Sequence, residues 1–172
     1  GLSIGGSSNQ TTAVSDNSFL DNDQSAIQFS GGRVSFSGNS ASGNGLDGIL
    51  TVPSLLGGVT LEPDLPYVFD TNTTTTVSSG TSLVISPGVI LKFKGAAVLY
   101  IDGALDAQGT VALPIAFSSF HDDDCAIMPV CGNTNKATTS PAAGDWGGLI
   151  FRSTGSAGST LAHAIVRYGG NK

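Results

Sequence analysis

An all-β solenoid, a right-handed parallel β-helix with three sheets and coils of about 22 residues, is the fold the sequence predicts, and three observations carry it. The first is a gapless internal repeat. Asn17-Ser18 recurs as Asn39-Ser40, Asn22 as Asn44, and Ile27 as Ile49, all at one spacing. The second is a series of short apolar clusters, rich in Val, Ile and Leu and punctuated by glycine. The third is composition. Hydrophobic residues reach 40%, which argues against disorder, and charged residues only 12%, about half the usual share. No long run pairs Glu with Lys or Arg at helical spacing.

The chain reads as one domain over residues 1–172. Residues 1–52 form its Asn-rich coils. Three short strands and three bends fill such a coil, and stacked coils lie about 4.8 Å apart. At that distance an Asn side chain bonds its equivalents above and below, so Asn17 over Asn39 predicts an amide ladder. Ile27 and Ile49 are expected inside, with Phe19 facing Ala41 and small Ala26 matching Gly48. Residues 53–79 break the pattern with Pro53, Gly57-Gly58, Pro63 and Pro66, and read as irregular chain.

A second block of coils covers residues 80–172. Leu83-Val84-Ile85 is followed by Ser86-Pro87-Gly88, a type II turn signal, and then by the apolar alternation of Val89, Leu91 and Phe93. Further clusters fall at 98–101, 115–117, 149–151 and 164–166. The segments 80–93, 101–110, 114–119, 141–151 (Pro-Ala-Ala-Gly-Asp-Trp-Gly-Gly-Leu-Ile-Phe) and 161–170 resemble coils of bacterial β-helix surface proteins. The resemblance spans more than half the chain. It implies the fold and a secreted or cell-surface setting. It does not imply one activity, because the scaffold carries many.

The insertion at 119–145 interrupts this block. It begins with three consecutive carboxylates, Asp122, Asp123 and Asp124, and Asp145 stands at its end. A loop that leaves and rejoins a stack brings its ends together. Four carboxylates near one bend, with Asn133 and Asn135, suit a hard cation, so the expected ligand is Ca²⁺. The alternative is a solvated acidic turn whose Asp side chains cap backbone amides. Cys125 and Cys131 are spaced for a local disulfide, a small loop whose closure stabilises by about 2 kcal/mol in an oxidising compartment. Trp146 is the only tryptophan. It reads as a buried ring with its N–H bonded or as a sugar-stacking platform.

Function follows less directly. A net charge of −6 repels phosphate backbones, which excludes nucleic acid as a natural partner. No apolar run reaches the length of a membrane span. His121 and His163 have no second His or Cys at ligand spacing. Polysaccharide lyases and hydrolases use this fold, and their chemistry would need cations such as Lys92, Lys94, Arg152 and Arg167 or acids such as Asp102 and Asp106. These do not form a mixed cluster along the chain. Lys92 and Lys94 read as solvent-facing residues beside buried Leu91 and Phe93. Ice binding would need ranked threonines, and the run at 73–76 has no matching rank one coil away. The expectation is a non-enzymatic extracellular structural or adhesive module, with polysaccharide binding or degradation as the alternative. The expected partners are its own copies or the remainder of a longer solenoid stacked end to end, since 161–170 ends without a capping helix, and carbohydrate is a further candidate.

Overall fold

The computed structural model describes residues 1–5, 11–52, 58–123, 134–136, 139–152 and 157–170. Among these the chain is all-β with no helix. The strands run β1 (Leu2–Ile4), β2 (Thr12–Ser15), β3 (Ser18–Leu20), β4 (Ser25–Phe29), β5 (Val34–Ser37), β6 (Ser40–Ser42) and β7 (Leu46–Thr51). They continue as β8 (Val59–Leu61), β9 (Tyr67–Phe69), β10 (Thr74–Val77), β11 (Ser82–Ile85), β12 (Ile90–Phe93) and β13 (Val98–Ile101). The last are β14 (Ala104–Gln108), β15 (Ile115–Ser119), β16 (Gly148–Phe151), β17 (Thr160–Ala162) and β18 (Ala164–Val166).

Every strand pairing is parallel, and partners come from successive coils, which defines a parallel β-solenoid. One sheet is continuous along the stack, in the order β1-β4-β7-β9-β12-β15-β18. The other strands form four shorter sheets: β2-β5, β3-β6, β17-β14-β11-β8 and β10-β13-β16. Among the described residues the first coils are thus joined to the later ones through β7 and β9 of the long sheet, while the flanking sheets stop at β5 and β6 and restart at β8 and β10.

The repeat read from the sequence is the register of the first coils. Ile27 pairs with Ile49, Ser18 with Ser40 and Phe19 with Ala41. Asn17 Nδ2 donates to Asn39 Oδ1 at 3.1 Å, and Asn22 Nδ2 to Asn44 Oδ1 at 2.5 Å. Each ladder ends on a carboxylate, which only accepts: Asn39 Nδ2 reaches Asp64 Oδ2 at 2.6 Å, and Asn44 Nδ2 reaches Asp47 Oδ1 at 2.7 Å. A second repeat accompanies the first. Asp16 and Asp21 take left-handed φ of 58° and 52°, and Gly38 and Gly43, their equivalents one coil on, take 65° and 77°. A Cβ on Gly38 would stand 2.4 Å from Asp16 Oδ1 at a φ of 65°, so a larger residue there would have to displace the Asp16 side chain and adopt a left-handed turn.

The segment 53–79, read as irregular, contains β8, β9 and β10 among its described residues. Gly58, Pro63 and Pro66 lie in the turns and bends between short strands of ordinary coils. The interior is continuous across it. Phe36 of β5 meets Tyr67 of β9 edge-on at 6.3 Å, and Phe69, Phe93 and Trp146 stack at 4.7 and 4.2 Å between centroids. Core side chains of successive coils include Ile49, Tyr67, Leu91 and Phe117, all buried. Each large apolar side chain so buried contributes roughly 1.5–3 kcal/mol.

Candidate functional site

The long sheet has an outer face as well as a core face, and both are covered over part of its length. In β4 the outward Gln28 is exposed, but β9, β12 and β15 are buried at every position. Their outer row runs Leu50, Val68, Lys92 and Ser118 in register. Described residues of the insertion, Thr134 to Lys136, lie along the stack on this face. Thr134 Oγ1 lies 3.3 Å from Lys92 Nζ, the Thr134 carbonyl accepts from the Asp47 amide at 3.1 Å, and Lys136 Nζ donates to the Gly43 carbonyl. From β15 back to β7 is three strand spacings, roughly 14 Å.

Lys92 is therefore fully buried, which corrects the expectation that it faces solvent. Burial pushes its ammonium down to about 8, with the charges of Asp123 and Asp122 acting the other way. Asp122 is buried too. It accepts from the Ser118 hydroxyl and pairs with Arg167, and the Arg167 amide donates to the Phe117 carbonyl at 2.9 Å beyond β18. Asp123 Oδ2 accepts from the Thr139 amide and hydroxyl, both at 3.2 Å. The site is a polar cluster between sheet and insertion, with Lys92, Asp122, Ser118 and Thr134 buried and Asp123 and Arg167 half-buried at its edge.

The acids expected to share Ca²⁺ occupy different settings. Asp122 faces Arg167, whose guanidinium supplies positive charge there. Asp123 fastens Thr139. Asp145 Oδ2 accepts from Ser119 Oγ at 2.6 Å and from the Ala142 amide at 3.0 Å, so it caps the turn that re-enters the coil. Asp124, Cys125, Cys131 and Asn133 lie outside the described residues, and so does the expected disulfide. Asn135 Nδ2 donates to Thr139 Oγ1 at 3.0 Å. Among the described residues no group of three or more His, Cys, Asp or Glu side chains is placed to hold a metal ion.

Trp146 is fully buried, stacked on Phe93, with Nε1 donating to the Arg167 carbonyl at 2.7 Å. The sugar-platform reading is corrected accordingly: the ring is core, and the small neighbours Gly147 and Gly169 let the chain close around it. A Cβ on Gly147 would stand 2.3 Å from a Val98 methyl. The remaining candidate charges are dispersed. Lys94 pairs with Asp70 at 3.4 Å and lies over the Phe120 ring, while Arg152 forks onto Asp102 at 2.9 and 2.8 Å and covers Tyr100. Asp106 accepts from Gln108 at 2.7 Å, and His163 is exposed on a left-handed turn.

Sequence reasoning missed the pairing of Asp122 with Arg167, 45 residues apart. A signal for the cover did exist. Tyr67-Val68-Phe69, Ile90-Leu91 and Ile115-Ala116-Phe117 are apolar at consecutive positions, the mark of strands buried on both faces. No protein-family model, no curated protein and no solved structure matches the chain. No helix among the described residues is long and apolar enough to cross a membrane.

Proposed function

We propose that the chain is a non-enzymatic structural module of an extracellular β-helix, right-handed and three-sided in cross-section, whose last coil receives a further layer of β-structure. One observation carries this reading. The core-facing residues of that coil sit in register with fully buried ones, yet are open: Phe151 over Ile101, Leu161 over Ala107 and Val166 over Phe117 are 44%, 45% and 49% exposed. Among the described residues β16, β17 and β18 are also edge strands, and such edges invite pairing. The layer comes from a second copy or from a longer chain of which this is a part. Low charge and the two cysteines support the extracellular setting.

The test is sedimentation velocity over a concentration series, run beside an assay on acidic polysaccharides. Self-association suppressed by Phe151→Lys/Val166→Lys supports the reading. A monomer at all concentrations that cleaves such a polymer overturns it in favour of a polysaccharide-degrading enzyme.

A further inference from the structure

We infer that the insertion is an axial clasp that locks the first coils of the solenoid onto the later ones. The argument starts from a weakness in the stack. Among the described residues the long sheet is the one sheet that continues across the junction between β7 and β9, because the flanking sheets end at β5 and β6 and begin again at β8 and β10. Solenoids hold together by contacts between neighbouring coils, so an interrupted interface is where cooperativity fails first. Side-chain links that cross this junction directly include Ser35 Oγ to Glu62 at 2.9 Å, Thr51 Oγ1 to the Val68 carbonyl at 2.9 Å, and Asn39 to Asp64 through two hydrogen bonds.

The described residues of the insertion add a second set, placed differently. Its root is fixed in the later coils by Asp122 on Arg167, and Asp123 on Thr139 ties the two ends of the insertion to each other. Thr139 Oγ1 also lies 3.1 Å from the His121 carbonyl, so the two ends of the insertion meet. Its far part lands on the first coils, and it lands at the foot of an asparagine ladder. Lys136 binds the Gly43 carbonyl, and the Thr134 carbonyl takes the amide of Asp47. The Asp47 side chain in turn terminates the Asn22–Asn44 ladder. Between these anchor points Thr134 sits over Lys92. One chain segment therefore spans the interrupted interface and is tied on both sides of it. Opening the junction requires the clasp to release either Asp47 and Gly43 or its own root.

The experiment is hydrogen exchange on the 172-residue chain and two variants. In the first variant residues 124–138 are replaced by two glycines, a tether the meeting of Thr139 and His121 permits. The second is Lys136→Ala. In the first variant amides of β5 and β6 are expected to exchange at least tenfold faster while those of β11 and β14 keep their rates; Lys136→Ala moves the same amides by a smaller factor. Equal acceleration in both groups, or no change in either, overturns the clasp. Should the shortened chain not fold, the unaltered chain decides. The Asp47 and Thr139 amides, bonded at opposite ends of the clasp, must share one opening rate under mild denaturant, and independent rates refute the inference.

Discussion

Raising the pH from 8 to 10 should stabilise this protein, and the reason is Lys92. In the unfolded chain its ammonium titrates at the ordinary 10.5; in the fold burial pushes it down to about 8. Below pH 8 both states hold the proton and stability does not respond to it. Between 8 and 10.5 the unfolded chain binds more protons than the fold, so stability rises with pH. The displacement corresponds to about 3 kcal/mol over the whole window. Tyr67 opposes this at the upper end. Burial raises its phenol well above the ordinary 10.0, so the unfolded chain ionises first and stability falls above that pH. The sum is a maximum near pH 10, with the larger part of the Lys92 gain expressed by then. Urea unfolding at pH 7, 8, 9 and 10 measures it, and Lys92→Met is the control. The variant should lose the rise between 8 and 10 and keep the decline above. An unchanged rise in Lys92→Met would refute the assignment of this behaviour to Lys92 and the burial on which it rests.

Further outcomes follow from the same geometry. Arg167→Met removes the ion-pair partner of the buried Asp122 carboxylate and should cost up to about 3–5 kcal/mol, with much of the loss recovered in Arg167→Met/Asp122→Asn; additive losses in the double-mutant cycle would contradict the pairing. Phe93→Ala removes the middle ring of the Phe69–Phe93–Trp146 stack and should cost about 3–5 kcal/mol by denaturant titration, whereas a loss under about 1 kcal/mol would mean the stack is not formed. Asn39→Leu breaks one ladder at its centre and should cost about 1–3 kcal/mol, visible as a lower urea midpoint with unchanged slope. Because Arg167 faces Asp122, melting is expected to be insensitive to chelator; a rise of several degrees with added Ca²⁺ would support the calcium reading of the acidic run instead.

The parts of the fold legible in the sequence are those where one coil copies the next. Asn17 over Asn39 and Ile27 over Ile49 share a spacing with no insertion between them, so the register could be read directly. Asp16 with Gly38 and Asp21 with Gly43 carried the same spacing but not the same residue type, and were overlooked. Both types tolerate a left-handed turn, which is the property that repeats. The stretch 53–79 was opaque because three-residue strands such as β8 and β9 are too short to show alternation between prolines. The polar cluster was opaque for another reason. Lys92, Asp122 and Arg167 are distant in sequence and are brought together by a segment folding back across the sheet, and alternation within one strand cannot report a cover supplied by another. Trp146 followed local logic, with glycines flanking a ring that needed room.

The central claim is that the last coil is an open core layer. Its most direct test is the melting of the chain with a polar amphipathic helix fused after Gly170 to cap β16, β17 and β18. The account predicts that the bare chain binds a hydrophobic dye and that the cap abolishes this binding and raises the Tm by several degrees. A bare chain that binds no dye and melts at the same temperature with and without the cap would contradict it.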